Sequence, residues 1–566
     1  MKNLFIRILS LAVCMIILLG SFLSVTLNVS AEEDMDLEYS DFGARGVWHR
    51  PNSSGKETTL EGLCSVLDEM ADSGINMIFL ETFYHGMSVF KSNLIPYYKG
   101  FEKFDYGDYP DYLTAFASEA EKRGIEVHAW VETFYVGIND DATLVKYHPD
   151  WMLINESGKT RHTTEGASLG GYLFFDPANP NVRSYLLRYY EEILKKVPSV
   201  KGLNLDYIRY PVSDFYSGTD TGYTEISMRG FAEKYGFSLS ESDTIRDFKA
   251  KINSKSLVNQ WIEYRAGFVT EFVGSVSEMV KEKYPECIVS VAVHPDINGA
   301  YTQKKQNFLE WVEKGYIDVV TPMVYYYTSS QISSALKTML TKFDSVYCYS
   351  GLYTTYHDQS VKELEDHIAA SDGCGADGFV LFDSAKTFFN SSHDYEGLLS
   401  DKYGAASGLF ALPHWSTDKL IGAAADILEK HLSESGEGTE TVQRVVSEMV
   451  RISQIGEGSD ESIELTVNEL SSLKQDLATV LKEDSLPEAV RILNLLEDYL
   501  KVRASRLSFK GYPEADLPGD DGDNGESDGG GKDENPGASD NAPMSFFEII
   551  ANIINEIINW FKNLFK

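Results

Sequence analysis

Short apolar runs and longer amphipathic segments alternate along the first 400 residues of the chain. Eight of the apolar runs have the length and the β-branched or aromatic content of buried strands. They span residues 44–50, 76–84, 126–134, 201–211, 287–294, 317–327, 346–354 and 378–385. Seven amphipathic segments with helical spacing lie between them, at 59–73, 110–123, 181–197, 256–284, 308–314, 330–343 and 361–371. Gly74, Gly124 and Gly315 follow three of these segments and indicate helix ends just before a strand.

This alternation predicts an α/β fold. Eight strand and helix repeats over roughly 350 residues favour a (β/α)8 TIM barrel, which we place at residues 40–404 with insertions after the third and fourth strands. A doubly wound parallel sheet is the alternative fold. In a barrel of this kind the reactive groups come from the carboxyl ends of the strands. The residues at those ends are therefore the first candidates for function.

The strand pattern stops after residue 404. Segments 416–434, 438–454, 460–483 and 486–506 predict a small helical domain over residues 405–510. Residues 511–543 are rich in Gly and Asp and predict a disordered acidic linker, because such a composition cannot bury a core. Residues 544–566 place Asn and Glu on one face and Phe, Ile, Trp and Leu on the other. This predicts an amphipathic helix, whose partner is either a membrane surface or another helix.

The first 31 residues have the three parts of a secretory signal peptide. Lys2 and Arg7 precede an apolar run at 8–19, and Val29-Ser30-Ala31 forms a small-residue cleavage site. We therefore expect a secreted protein associated with the cell envelope, with retention of this segment as a membrane anchor as the alternative. The formal net charge of −36 argues against nucleic acid as a partner. No P-loop, GxGxxG or clustered Cys and His motif is present, so we expect no cofactor and no metal.

Carboxylates and aromatic residues recur at or near the carboxyl ends of the predicted strands. Carboxylates bond sugar hydroxyls, and aromatic faces stack on the apolar faces of sugars. The pattern therefore predicts a carbohydrate cleft with a polysaccharide substrate. The candidate substrate-binding residues are His49, Glu81, Tyr84, His128, Trp130, Arg209, Tyr210, His294, Asp296, Tyr325 and Asp383.

Glycosidic cleavage needs two carboxyl groups, one protonated and one ionised. We predict Asp206 as the ionised group, its pKa lowered by Arg209 if the two side chains meet; a purely structural ion pair between them is the alternative. Glu132 is the predicted proton donor, because its apolar neighbours Trp130, Phe134 and Tyr135 would raise its pKa. Glu81, Asp296 and Asp383 stay open as alternative donors.

Three candidates each have an alternative interpretation. His128 lies on the same side of its strand as Trp130 and Glu132, where it either donates to a carboxylate or is a satisfied core histidine. Asp296 either lines the site or caps the helix that follows. Asp206 could also join His49, His128 and His294 around a metal, as in a metal-dependent deacetylase, although their spacing is not that of a tight metal motif.

Several motifs carry a resemblance to a known family. RGVWHR, HAWVETFYVG, DPANPNVR (176–183), LDYIRYP (205–211) and GFVLFDSA together resemble the glycosyl-hydrolase-like family ten barrel proteins over about residues 40–400. The resemblance implies a (β/α)8 glycosidase-like barrel acting on peptidoglycan glycan or another amino-sugar polymer. Asp206 falls on the family's strand-four Asp, and Trp130 falls on its HAW motif.

Two positions depart from that family pattern. The chain has Trp130-Val131-Glu132-Thr133-Phe134 where relatives often have WxNPY, and Glu81 where an Arg is frequent. These departures leave the identity of the acid and the substrate open. We predict a secreted glycoside hydrolase that uses two carboxylates. The alternative is a catalytically silent barrel that binds glycans or serves as an envelope scaffold.

Overall fold

The computed structural model describes residues 43–84, 86–139, 143–343, 346–355, 358–404, 417–455 and 460–508. The predicted signal peptide at 1–31, the acidic linker at 511–543 and the amphipathic helix at 544–566 lie outside these residues. The first residues of the predicted helical domain, 405–416, lie outside them as well.

All eight predicted strands are present, and they form one closed parallel barrel. They are β1 (Ala44–His49), β2 (Met77–Tyr84), β3 (Glu126–Glu132), β4 (Val200–Asp206), β5 (Ile288–Val293), β6 (Val319–Pro322), β7 (Tyr347–Tyr353) and β8 (Gly378–Phe382). Each strand pairs with its neighbours in sequence, and β1 closes the barrel by pairing with both β2 and β8. The predicted (β/α)8 fold is confirmed.

One helix follows each strand and covers the outside of the barrel. The helices are α1 (Leu60–Asp72), α2 (Tyr112–Glu121), α3 (Pro180–Lys196), α4 (Val258–Lys283), α5 (Phe308–Glu313), α6 (Ser329–Leu340), α7 (Val361–Asp372) and α8 (Tyr395–Tyr403). The DPANPNVR motif is the start of α3, where Asn179 accepts a hydrogen bond from the Asn181 N–H and Pro180 takes the first turn. Gly74, with φ +74°, makes the tight turn into β2 that only glycine adopts without strain.

Alternation along the strands divides the apolar side chains into two layers. Val47, Leu80, Val131 and Leu205 point outward and pack against the helices. Side chains at the alternate positions, such as Trp48, Phe79, Trp130 and Tyr349, fill the barrel interior. The interior is therefore a packed core, and only the last inward residue of each strand can reach the open end.

The two largest insertions follow β3 and β4, as predicted. The insertion after β3 contains a three-stranded antiparallel sheet made of Tyr135–Gly137, Arg161–His162 and Tyr172–Phe174. The insertion after β4 contains two helices, Glu225–Lys234 and Ile245–Ser254, with an aromatic core of their own around Phe231 and Trp261. A further helix, Ile297–Lys304, follows β5.

Four helices follow the barrel: α9 (Thr417–Glu434), α10 (Thr439–Ser453), α11 (Asp460–Val480) and α12 (Leu486–Ser508). Their apolar faces belong to the same buried cluster as the lower residues of the barrel interior, Ala44, Met77 and Tyr347. The helices therefore cover the amino-terminal end of the barrel. Among the residues that the structure describes, no helix has both the length and the apolar character needed to cross a membrane.

Candidate active site

Asp206 is the last residue of β4 and lies partly buried at the carboxyl end of the barrel. Its two carboxylate oxygens accept separate hydrogen bonds, one from the Trp130 indole N–H at 3.1 Å and one from the Tyr207 backbone N–H at 2.7 Å. Burial raises the pKa of Asp206, while these two bonds and the charge of Arg209 oppose that rise. The carboxylate is thus held by two fixed donors at the carboxyl end of the barrel.

The chain turns sharply just after Asp206. Tyr207 has φ +47°, the left-handed region that a bulky residue seldom adopts. The Tyr207 ring stacks on the Tyr135 ring with centroids 4.8 Å apart. The Arg209 guanidinium lies 4.6 Å from the centroid of the same Tyr207 ring. These contacts hold the strained turn that orients the Asp206 carboxylate, a pattern typical of functional sites.

Glu132 lies on β3, which pairs with β4, and Glu81 lies on β2, which pairs with β3. Glu132 is directly opposite Asp206 in the pairing of β3 with β4, and both residues point inward. The Glu81 and Glu132 carboxyls are joined by a hydrogen bond. Burial and the nearby Asp206 and Asp383 charges raise the pKa of Glu81 to about 7, although Arg50 and the bond to Glu132 oppose the shift. This pair therefore holds a proton near neutral pH.

Arg50 follows β1 and is the cation at the centre of these acids. Its pKa is raised above its ordinary value because the charges of Glu81, Glu132 and Asp383 outweigh the effect of burial. The guanidinium lies 5.2 Å from the centre of the Trp130 ring and 5.7 Å from that of Phe382. Arg50 thus partly neutralises a cluster of four carboxyl groups, and its guanidinium also contacts the Trp130 and Phe382 rings.

Asp383 follows β8 and completes the cluster of carboxyl groups near Arg50. It is partly buried, and one of its oxygens accepts a hydrogen bond from the Lys386 backbone N–H at 3.2 Å. The Asp383 N–H donates to the Thr355 hydroxyl at 3.1 Å. Asp383 is therefore fixed at the rim and contributes negative charge to the site.

Arg209 pairs with a residue that the sequence did not single out. Its guanidinium donates two hydrogen bonds to Glu165, at 2.7 and 3.0 Å, in a bidentate ion pair. Glu165 comes from the insertion after β3 and also accepts from the Val212 N–H at 2.8 Å. The charge of Arg209 opposes the rise in the pKa of Asp206, but burial outweighs it, so the predicted lowering of that pKa is wrong. Among the described residues, Arg209 pairs with Glu165 and not with Asp206, so the alternative of a structural ion pair between Arg209 and Asp206 is wrong as well.

Aromatic side chains line two sides of the cleft. Tyr84, the half-buried last residue of β2, lies near Arg50 and Glu81, and its ring contacts Tyr98 with centroids 5.4 Å apart. Tyr325, beyond β6, lies 5.7 Å from the Phe382 ring and 5.9 Å from the Tyr353 ring. These rings offer faces against which a sugar can stack.

His294 and Asp296 follow β5. Asp296 is exposed and accepts a hydrogen bond from the Asn298 N–H, so it caps the helix Ile297–Lys304. His294 is partly buried, and its Nδ1 accepts from the Asp296 N–H at 3.3 Å. Asp296 thus has the capping role, while His294 lies within electrostatic reach of Arg209.

Five predicted substrate-binding residues are at most 1% exposed: His49, Glu81, His128, Trp130 and Tyr210. His49 points outward, where it bonds Glu57 at 2.9 Å and Ser384 at 2.8 Å and stacks on Phe116. His128 points into the barrel as predicted, but below Trp130 and with no exposed surface. Tyr210 is fully buried beyond the Tyr207 turn. Trp130 itself is buried and contacts Asp206 from below.

Tyr207 and Glu165 are site residues that the sequence prediction did not include, whereas Arg50 was placed at the rim after the first strand but given no role. Alternation from Trp48 gives an inward-pointing Arg50, so that signal was present in the sequence. Glu165 lies in an insertion with no regular periodicity, and no sequence signal could have placed it beside Arg209. Within the described ranges, no group of three or more His, Cys, Asp or Glu residues is arranged to hold a metal ion.

Comparison with known families agrees with this architecture. The family model described as Glycosyl hydrolase-like 10 matches residues 43–363 of the chain. Two similar curated proteins are Glycosyl hydrolase DigH from Escherichia coli, 23% identical over 285 residues, and Glycosyl hydrolase YngK from Bacillus subtilis, 22% identical over 342 residues. These matches cover 47% and 55% of this chain, and 58% of each relative's own length.

A similar solved structure is the catalytic domain of a β-amylase from Paenibacillus polymyxa. It covers 66% of this chain and all of its own, with a TM-score of 0.44 and 12% identity.

Proposed function

Because the chain belongs to the Glycosyl hydrolase-like 10 family, we propose that it is a glycoside hydrolase that cleaves glycosidic bonds in a polysaccharide. The observation that carries the proposal is the cluster of Glu81, Glu132, Asp206 and Asp383 around Arg50 at the open end of the barrel. Peptidoglycan glycan or another amino-sugar polymer is the proposed substrate class.

The proposed reaction uses the opposite protonation states of neighbouring carboxyl groups. Asp206 is the ionised member, because both of its oxygens accept hydrogen bonds that favour the carboxylate. It acts as the nucleophile, or as the base that activates water, on one side of the scissile bond. The hydrogen-bonded pair of Glu81 and Glu132 supplies the proton to the leaving oxygen.

This assignment widens the choice of proton donor made from the sequence. Glu132 alone was predicted to be the donor, with Glu81 as an alternative. Two carboxyls that share a proton titrate as a unit, so the raised pKa belongs to the pair of Glu81 and Glu132. Arg50 stabilises the negative charge that stays on the pair after the proton has been transferred.

The test is incubation of the full-length protein with purified peptidoglycan and a panel of polysaccharides, followed by analysis of the released sugars. We expect Asp206→Asn to lower turnover on the order of 10³-fold or more while leaving the thermal unfolding temperature unchanged. Asp401→Asn, on the exposed side of α8, is the matched control and keeps full activity.

Two outcomes would contradict the proposal. Undiminished turnover by Asp206→Asn would exclude Asp206 as a catalytic group. Glycan binding by the unaltered chain with no sugar released from any polymer would instead favour a binding barrel without catalysis.

We further propose that the protein is secreted and associates with the cell envelope. The support is the charged, apolar and small-residue succession of residues 1–31 together with the amphipathic pattern of residues 544–566. The amino-terminal sequence of the protein recovered from the culture medium or envelope fraction tests this. A chain beginning at Glu32 is expected, and a chain found in the cytoplasm with residues 1–31 intact would contradict it.

A further inference from the structure

Lys304 is a buried lysine whose ammonium group has no partner. It ends the helix Ile297–Lys304, and its side chain is only 8% exposed. Its backbone oxygen accepts from the Tyr210 N–H at 2.9 Å, which fixes this segment beside the end of β4. In the part of the chain that the structure describes, its Nζ makes no hydrogen bond and no ion pair. The stem of the side chain is buried while Nζ keeps some accessible surface, so the ammonium is open to an anionic ligand.

The surroundings of Lys304 are cationic rather than acidic. The charge of Arg209 opposes the ammonium, and this charge together with burial lowers the pKa of Lys304 to about 8. Glu165 is also near, but its two oxygens are already used by Arg209 and the Val212 N–H. Two cations thus share one carboxylate, and the cluster keeps a net positive charge within an otherwise acidic cleft.

His294 adds a neutral donor to this cluster. Its Nδ1 accepts from the Asp296 N–H, so the ring proton is on Nε2. Burial and the charges of Lys304 and Arg209 lower its pKa, which keeps the ring neutral. Nε2 makes no hydrogen bond to any residue that the structure describes, so its N–H can donate to a ligand.

The cluster lies next to the candidate catalytic group. Arg209 is the common neighbour, because its charge opposes the rise in the pKa of Asp206 and adds to the fall in the pKa of Lys304. An anionic substituent near Lys304 would therefore belong to a sugar unit at or beside the bond that is cleaved. A singly charged group fits better than a phosphate dianion, because Glu165 lies in the same cluster.

We propose that Lys304, Arg209 and His294 form a subsite of the cleft for a carboxylate carried by the glycan. The subsite rests on the proposed glycosidase function and adds to it a substrate class: a polysaccharide whose sugar units bear carboxylates. Two kinds of glycan have this chemistry, amino sugars with a lactyl ether and uronic acids.

Titration calorimetry of the full-length protein tests the subsite without requiring turnover. The probes are peptide-free peptidoglycan glycan strands, which carry lactyl carboxylates, and hyaluronan, which carries uronic acids. Each is used in its native form and after chemical reduction of its carboxyl groups to alcohols. We expect the native form of at least one of them to bind about tenfold more tightly than its reduced form. Which polymer shows the difference identifies the carboxylate source.

Three variants locate the effect. Lys304→Met should remove the difference between native and reduced glycan, and Lys304→Arg, which keeps the charge, should retain most of it. Lys159→Met, at an exposed lysine of the insertion that contains Glu165, is the matched control and should bind both forms like the unaltered protein.

The outcomes separate this proposal from the one on which it rests. Equal binding of native and reduced glycans, or an unchanged difference in Lys304→Met, overturns the carboxylate subsite while leaving the glycosidase proposal intact. Absence of both binding and cleavage for every polysaccharide overturns the proposed function and the subsite with it.

Discussion

The two ends of the barrel each contain a hydrogen-bonded pair of carboxyl groups. At the carboxyl end the pair is Glu81 and Glu132, and at the amino end it is Asp377 and Asp498. Burial is the main cause of a raised pKa for Glu81 and for Asp377. The same local chemistry therefore occurs twice, and the surroundings decide what it can do.

The neighbours of each pair are the first difference between the two ends. The upper pair adjoins partly buried Asp206 and Asp383 beneath the loops that follow the strands. The lower pair joins the loop before β8 to helix α12, and the apolar residues of α9–α12 cover that end of the barrel. The exposure of the acids does not itself distinguish the ends, because Glu81 and Glu132 are 1% and 4% exposed whereas the Asp498 side chain is 36% exposed. A raised pKa is thus evidence of function only where further site residues surround the group.

The second difference is how positively charged side chains neutralise the acids at each end. At the open end a single buried cation, Arg50, is close to Glu81, Glu132 and Asp383. At the closed end the acids have separate partners: Lys501 bonds Asp498 at 3.0 Å, and Arg491 forms an ion pair with Asp372 at the end of α7. The open end keeps excess negative charge for chemistry, whereas the closed end uses its charges to attach α12 to the barrel.

The largest expected effect is a loss of turnover when the pair of acids at the open end is altered. Glu81→Gln should lower turnover on the order of 10²- to 10⁴-fold, because the shared proton can no longer reach the leaving oxygen. In the unaltered protein, kcat/KM should fall as pH rises through about 7, where the pair loses that proton. Steady-state kinetics between pH 4 and 9 measure both effects.

Asp377→Asn is the control for that experiment, since it alters the corresponding pair at the closed end. It should leave both the turnover and the pH profile unchanged. A Glu81→Gln variant that keeps the descending limb near pH 7 would show that another group is the acid.

The next effect concerns stability at the closed end. Arg491→Met should lower the free energy of unfolding by about 2–4 kcal/mol, because it leaves Asp372 buried without its cation. The kcat of the folded protein should not change, since Arg491 lies at the opposite end of the barrel from Asp206. Urea unfolding with parallel activity assays measures both quantities. Lower turnover by the folded variant would contradict the separation of the two ends.

The fold could be predicted from the sequence because its signal is distributed. Eight apolar runs separated by amphipathic helices lie at their predicted places, and β4 ends at Asp206 within the predicted run 201–211. The alternative of a doubly wound sheet is wrong, because β1 pairs with both β2 and β8. Only the strand limits shifted, most at β6, where four residues form the strand and the three tyrosines of 325–327 lie beyond it.

The site was harder to predict because its geometry depends on what happens after each strand ends. His49 and Tyr210 were both chosen for their closeness to a strand end. In β1, however, alternation sends His49 outward, and the left-handed turn at Tyr207 breaks the alternation that would have placed Tyr210. Glu165 and Lys304 come from insertions, where neither periodicity nor sequence distance indicates a spatial neighbour. The catalytic and binding roles assigned to Asp206, Glu132 and the other candidates stay predictions.

The smallest expected effect is a stabilisation by Asp377→Asn at the closed end. Asp377 is 5% exposed, and burial together with the nearby Asp498 charge raises its pKa, while its Oδ2 accepts from the Cys348 N–H at 2.9 Å. An unfolded aspartate ionises near pH 3.9, whereas the folded Asp377 keeps its proton to a higher pH. The free energy of unfolding contributed by this group is therefore complete below about pH 4 and is lost as pH rises towards the folded pKa.

Asparagine reproduces the protonated form at every pH. Its oxygen can accept from Cys348 and its amide can donate to Asp498, so the penalty at high pH disappears. At pH 8 the variant should be more stable than the unaltered protein by about 1 kcal/mol or more, and the two should converge near pH 4, because each unit of pKa shift is worth about 1.4 kcal/mol. Urea unfolding at both pH values, with Asp401→Asn as the exposed control, measures the difference. A destabilised Asp377→Asn at pH 8 would mean that the closed end needs the charge of Asp377, and the contrast between the two ends of the barrel would then rest only on the residues that surround each pair.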